Sequence, residues 1–282
     1  MGLQLTAINR YPVKSCRGEA VSSAVVEPWG LAGDRRWMVV DSGGNGVTAR
    51  EYPHLLLVRP ELIPGGVRLR APGVDDIEVA EPQGPLTEVS LFHRRPFAAS
   101  LADDAAHAWM SAVVGEPSRF VFQDDPTRRP TNPEVGATSD RVSLADGYPL
   151  LVTTEESLDA LNTLIAQGPM ASAAPLAMTR FRPSIVVSGD AAWAEDGWRR
   201  LRVGEAEFRA VKGCDRCVMT TIDPNTARAG KEPIATLARH RKWDGATWFG
   251  MNLVPDTPGV EIHIGDEVEV LSSVPAPDGP PR

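Results

Sequence analysis

Val-Lys-Gly-Cys-Asp-Arg-Cys-Val-Met-Thr-Thr-Ile-Asp-Pro, residues 211–224, contains two of the chain's three cysteines, Cys214 and Cys217, with Arg216 between them. A thiolate is a strong ligand for soft metals, and a neighbouring guanidinium favours the ionised sulfur. The β-branched and apolar run after Cys217 reads as a strand, and Asp223-Pro224 as the turn that closes it. A redox Cys-x-x-Cys pair sits at the start of a helix, where the thiol pKa falls, so a strand at this point argues against a dithiol. Structural zinc needs four ligands, and Cys16, His240 and His263 supply no second spaced pair. From the residues alone four readings stand: one metal-ligating thiolate with a helper, a redox dithiol, half of a zinc site, or inert buried thiols.

Outward from this segment, the pattern is one of short strands. Leu201–Val203 and Ala206–Lys212 form a hairpin that runs straight into the cysteines. Pro233 suits the first turn of a helix through Arg239, and Gly259–Leu271 reads as a closing hairpin turning at Gly265-Asp266. Upstream, Pro149–Val152 and Arg182–Gly189 read as buried strands. Between them Thr153 and Glu156 match a capping box for a helix through Ile165, stopped by Gly168. The first part of the chain predicts strands at 3–10, 20–28, 37–40 and 47–50, and near 55–59, 66–71, 76–80 and 86–91. One helical stripe interrupts them at 100–114, with Ser100 as its N-cap and Gly115 as its stop. The polar, proline-broken stretch 124–141 reads as a linker or lid. The expected division is therefore 1–122, 123–272 and a disordered Pro/Gly/Ser-rich tail, 273–282, in an α+β, β-rich fold.

The 282 residues are 42% hydrophobic and 23% charged, with 25 glycines and 25 prolines, a composition of soluble β-rich domains. A net charge of −8 argues against binding nucleic acid by bulk attraction to phosphate. Three cysteines are too few for a disulfide scaffold or a four-thiolate iron–sulfur cluster. No window approaches the roughly 18 apolar residues of a spanning helix, and the first ten residues lack a signal-peptide pattern. The expected setting is a reducing cytoplasm with no membrane contact. Lys14, Arg35, Arg182 and Arg216 each stand at a strand–turn junction. With a metal thiolate they suggest a pocket for a large anionic cofactor, arginines clamping its phosphate.

At this point the segments resemble a known family. Tyr-Pro-Val-Lys-Ser-Cys (11–16), Gly-Asp-Arg (33–35) before Trp37 and Val-Thr-Ala-Arg (47–50) resemble the N-terminal β-barrel region of MOSC-domain proteins. Phe-Arg-Pro-Ser-Ile-Val-Val-Ser-Gly (181–189), Ala-Glu-Asp-Gly-Trp (194–198), the cysteine segment at 214–224 and Phe-Gly-Met-Asn (249–252) resemble the MOSC domain itself. The likeness is to the amidoxime-reducing component group and its bacterial YcbX-type relatives, and covers most of residues 1–271. It implies a β-barrel-like MOSC N-terminal domain packed on a barrel-containing MOSC domain. It also implies a molybdenum cofactor, with Cys217 ligating the metal and Cys214 nearby but unbound. Cofactor contacts map onto Lys14, Ser15, Arg35, Arg182 and Arg216, and onto Asp146, Gly147, Tyr148 and Asn252. The implied reaction reduces N-hydroxylated compounds (amidoximes, hydroxylamines, N-hydroxylated bases). No iron–sulfur cluster is expected in this chain. Electrons are expected from a separate donor protein: a flavoprotein, a ferredoxin-like protein or a cytochrome b5-like one. A rival reading has Cys217 carry a persulfide or the cofactor itself rather than turn over substrate. None of the histidines stands in a motif that names a proton donor.

Overall fold

The computed structural model describes residues 2–92, 94–132 and 134–275. Its centre is a closed barrel of seven strands: β1 (Leu3–Arg10), β2 (Leu150–Thr154), β3 (Ile185–Ser188), β4 (Trp198–Val203), β5 (Ala206–Asp215), β6 (Ala246–Pro255) and β7 (Glu267–Ser273). The ring runs β2-β3-β1-β7-β4-β5-β6 and closes where β6 pairs with β2, leaving those strands no free edge. Only β2 and β3 run parallel, and α2 (Glu155–Ala166) lies in the crossover between them. Leu5, Ile8, Val152, Ile185, Val187, Leu201, Phe208, Met251 and Leu253 share the barrel's core cluster. Leu5 and Ile8, three residues apart, both reach that core because the β1–β3 register shifts between Leu5 and Ala7. Gly250 has φ 79, and a β-carbon there would stand 2.7 Å from the Val152 carbonyl oxygen, so β6 needs glycine to approach β2.

Outside the barrel stand a four-stranded antiparallel sheet (Trp37–Val40, Arg119–Phe122, Phe97–Leu101, Leu86–Val89), a three-stranded meander (Arg59–Ile63, Gly66–Ala71, Val74–Ala80) and a small sheet of Glu261–His263, Ser23–Glu27 and Gly30–Leu31. Helix α1 (Asp104–Val114) packs Ala106, Trp109, Met110 and Val114 into one core with Trp37, Val67, Leu69 and Phe120. Ile222 joins the same core and Met219 packs against it, which seats the cysteine segment on the N-terminal half. Helix α3 (Ile234–His240) buries Leu237 beside Leu161, Phe181 and Phe249.

The strand-rich architecture agrees with the sequence reading, but several details do not. Strand pairing joins the two expected parts of the chain: β1 is a barrel strand, and Ser23–Glu27 pairs with Glu261–His263. Barrel closure needs that first strand, whatever its place in the chain. The closing hairpin is not one, because its two halves join different sheets. Within the described part of residues 124–141, Asp140 pairs with Arg209 on β5 at 2.8 Å. Ser100 lies in a strand, and Asp103 caps α1 instead by accepting from the Ala106 N–H. The α2 cap is Thr154, one residue later than expected. Pro53 starts a short 3-10 helix, Pro53–Leu57, where a strand was expected. Residues 47–50 return without forming a strand. The run after Cys217 is a 3-10 turn, Val218–Thr221, with Cys217 at its N-cap. The Thr220 and Thr221 hydroxyls each donate to the carbonyl three residues back, and this local bonding competes with extended structure. Ser273 belongs to β7, so no tail begins there, and 276–282 lie outside the described residues.

Candidate functional site

Barrel closure gathers distant loops around one cleft. Its walls include all ten expected residues: Lys14, Ser15, Arg35, Asp146, Gly147, Tyr148, Arg182, Arg216, Cys217 and Asn252. Lys14 and Ser15 come from the loop after β1, Arg35 from the turn before Trp37, Asp146–Tyr148 from the approach to β2. Arg182 precedes β3, and Arg216 and Cys217 follow β5. On β6, Asn252 stands opposite Leu151 on one side and Lys212 on the other, and its amide donates to the Gly213 carbonyl at 3.1 Å.

The turns that present these side chains are held in left-handed backbone conformations. Ser15 has φ 66, Arg35 φ 49 and Arg182 φ 55, and Phe92 at the rim has φ 55. Each such residue costs of order 1 kcal/mol or more and persists only where its surroundings fix it. The fixing bonds are present. Arg35 N–H donates to the Tyr11 carbonyl at 2.7 Å, Tyr11 N–H to the buried Asp34 carboxylate at 2.7 Å, and Lys14 N–H to the Trp37 carbonyl at 2.8 Å.

The cleft is electrostatically divided. At one end Arg35 and Arg182 lie over the Tyr11 ring, 4.5 and 4.2 Å from its centroid, and Arg216 lies over Phe181 at 5.5 Å. Arg35 is ion-paired with Asp34. Arg182 and Arg216 have no carboxylate partner among the described residues. Arg182 donates to the Cys16 carbonyl at 2.7 Å, and burial lowers its pKa. Arg216 donates to the Phe181 carbonyl at 2.7 Å and to Cys214 Sγ at 2.8 Å, while its Nε is buried with no partner. Two desolvated cations with unmatched charge are a standing attraction for an anion.

At the other end the charges are balanced. Lys14 Nζ, nearly inaccessible, donates to the Leu144 carbonyl at 2.9 Å and to Asp146 Oδ1 at 2.5 Å. Burial brings Lys14 down to about 8, against the opposing pull of Asp146. Arg50 Nη2 donates to Asp146 Oδ2 at 2.7 Å and to Cys217 Sγ at 3.2 Å. Burial pushes the Asp146 carboxyl up, but Lys14 and Arg50 outweigh it and hold it well below the usual carboxylate range. Arg129 clasps the Ser143, Ala145 and Asp146 carbonyls and so holds the loop that carries this aspartate. Cys217 is exposed, whereas Cys16 is sealed in the core and pushed up to about 12 by burial. Burial also raises Cys214, against the lowering effect of Arg216.

Arg50 is the site residue that charge and spacing did not reveal; its only signal was its place in the Val-Thr-Ala-Arg segment. Arg129 and Phe92 gave none. The histidines stay apart. His107 accepts the Phe120 N–H on Nδ1, His240 ends α3, and His93 lies outside the described residues. Among the described residues no three His, Cys, Asp or Glu side chains converge on a metal position. The described side chains thus build no four-ligand zinc site, and a metal on Cys217 would take its other ligands from a cofactor. A cofactor with a phosphate and its own sulfur donors fits: the unmatched Arg182 and Arg216 suit the phosphate, and the exposed thiol suits the metal.

The chain belongs to the MOSC family. Residues 2–117 match the MOSC N-terminal beta barrel domain and residues 139–269 the MOSC domain. It is 33% identical to mitochondrial amidoxime-reducing component 1 of Mus musculus, over 93% of this chain and 80% of that protein. The human protein of the same name is 32% identical over 93% and 81%. The molybdenum cofactor sulfurase of Oryza sativa subsp. japonica is 31% identical over 89% of this chain but only 32% of its own length. These relatives support a molybdenum-related function.

Proposed function

We propose that this chain is a molybdenum-cofactor-dependent reductase of N-hydroxylated compounds, supplied with electrons by a separate protein. The observation that carries the reading is the exposed Cys217 thiol at the balanced end of a cleft whose other end holds two uncompensated arginines. Arg182, Arg216 and Arg35 would hold the cofactor's phosphate, with Ser15, Asp146–Tyr148 and Asn252 along its length. Cys217 would ligate the metal. When bound, the cofactor supplies two-electron and oxygen-atom chemistry that no side chain offers.

The protein's part is to bind, orient and hold charge. Arg50 anchors Cys217 Sγ to Asp146, and Arg129 fixes the loop beneath. Reduction breaks an N–O bond, takes up two electrons and two protons, and releases water. Lys14, poised near 8, is hydrogen-bonded to the half-exposed Asp146 carboxylate and through it and Arg50 is linked to the thiol end. Three free thiols fit a reducing compartment, and a cytoplasmic setting is part of the proposal.

Elemental analysis of protein made in a molybdenum-replete host, with turnover of benzamidoxime by a reduced viologen dye, tests this directly. Near one molybdenum per chain and amine formation are expected, and Cys217→Ser should lose both while remaining folded. The likeness to a cofactor sulfurase favours a second reading, in which Cys217 carries sulfur. Sulfane sulfur without molybdenum would establish that reading and overturn the first.

A further inference from the structure

Near the exposed sulfur stand apolar side chains that are not among the residues lining the cleft. Val218, the residue after Cys217, is 52% exposed, and Phe92 is 37% exposed. Among the large exposed hydrophobic side chains of the described residues, Val218 follows Cys217 and Phe92 is linked to its sulfur through Arg50. Phe92 is held at φ 55, a conformation unusual for a bulky aromatic residue, and such strain clusters at ligand-binding positions. Around its ring stand three cations: Arg50 at 4.9 Å, Lys14 at 5.2 Å and Arg94 at 6.0 Å from the centroid. Arg50 in turn touches Cys217 Sγ at 3.2 Å. One guanidinium therefore separates the phenyl ring from the reacting centre.

The carboxylates facing this rim are Asp146 and Asp215. Asp146 is already shared between Lys14 and Arg50, and Asp215 lines the cleft next to Cys214. Arg94 is exposed and has no ion pair among the described residues, so the outer lip presents unmatched positive charge on an aromatic face. Planar rings stack on both phenyl and guanidinium planes.

On this basis, and resting on the reductase reading, we infer that Phe92, Val218 and Arg94 form the subsite for the substrate's organic body. The geometry selects flat aromatic N-hydroxylated compounds that are neutral or negatively charged, and disfavours cationic ones. Phe92 sets the preference for an aromatic ring, and Arg94 the preference in charge.

The test uses cofactor-loaded protein reduced by viologen dye and four probes: 4-carboxybenzamidoxime, benzamidoxime, 4-(trimethylammonio)benzamidoxime and acetamidoxime. Binding of the three corresponding benzamides and of acetamide, none of which carries an N–O bond to reduce, is followed in parallel by ligand-observed NMR. The carboxylate probe should exceed the ammonium probe about fivefold in kcat/KM, the size expected for one half-screened charge contact. Arg94→Ala should bring that ratio toward one. Phe92→Asn, chosen because asparagine tolerates a positive φ, should lower the benzamidoxime-to-acetamidoxime ratio about fivefold through KM. Phe92→Tyr should restore it. The same orders in amide binding, even without turnover, support the subsite and sink only the reductase reading. A flat charge series and an unmoved aromatic ratio in both measurements would overturn the inference.

Discussion

Two acid–cation clusters backed by aromatic rings invite comparison, one open and one sealed. In the open cluster Lys14 and Arg50 share Asp146 beside Phe92, and the aspartate side chain is 56% exposed. In the sealed one Arg241 pairs with Asp196 at 2.5 Å, with their side chains only 9% and 3% exposed. Arg241 lies 4.2 Å from the Trp193 ring and 4.9 Å from that of Trp243. Next to it Glu195 accepts from Ser157 at 2.8 Å and Thr154 at 3.1 Å, which ties the start of α2 to the turn before β4. The sealed cluster borders a cavity of about 590 Å³, yet it contains no thiol and no unmatched cation. Cavity size and buried charge alone would point to the wrong place. What distinguishes the open cluster is a chain of contacts that ends on an accessible sulfur.

The comparison is broken most sharply by removing one cation from each. Arg241→Ala leaves Asp196 buried and alone, and breaking a buried pair in this way costs about 3–5 kcal/mol. Arg50→Ala leaves Asp146 paired with Lys14 and screened by solvent, so its cost should stay below about 1 kcal/mol. Urea denaturation should therefore show a large drop for the first and little for the second. Molybdenum content should fall in Arg50→Ala but not in folded Arg241→Ala. Equal destabilisation by the two would erase the distinction.

A pH series sharpens it next. Burial, and then the charge of Asp196, push Glu195 up to about 7 from its ordinary 4.5. The folded protein thus binds this proton more tightly than the unfolded chain. The resulting stability is fully present below pH 4.5, declines as pH rises toward 7, and is gone above it; the span is worth about 3 kcal/mol. Asp146 works the other way. Its depressed pKa gives stability above the ordinary aspartate range that is lost only on further acidification, so the two do not overlap. Glu195→Gln should flatten the decline in urea midpoint between pH 5 and 7.5. An unchanged slope in that variant would mean that the proton is bound elsewhere.

The cleft was legible in the sequence to an unusual degree because its residues sit at strand–turn junctions, where glycine, proline and charge stand out locally. Lys14, Arg35, Arg182 and Arg216 show this. Long-range pairing has no such local mark. Nothing in Leu3–Arg10 says that it joins a barrel beside strands some 180 and 265 residues later, across the expected division at 122/123. Arg50 was missed for a related reason. Its importance lies in contacts to Asp146 and Cys217, 96 and 167 residues away. The turn after Cys217 was read as a strand because β-branched residues favour extension, whereas threonine hydroxyls decided the outcome locally.

The smallest effect expected is also the one that separates the two thiols of the cysteine segment. Cys214 Sγ accepts one bond from Arg216, at 2.8 Å, but that arginine is also held by the Phe181 carbonyl and, through its own N–H, by the Thr247 carbonyl, each at 2.7 Å. A serine oxygen can still accept from the guanidinium, and the cation has two other anchors. Cys214→Ser should therefore reduce benzamidoxime turnover by only a few-fold, at unchanged molybdenum content. Cys217→Ser has no such reserve, since its sulfur is the only one exposed in the cleft. If both substitutions removed turnover equally, the sulfurs would be acting as a pair, and the cleft would be a dithiol centre in which Arg50 and Arg216 each serve one thiol.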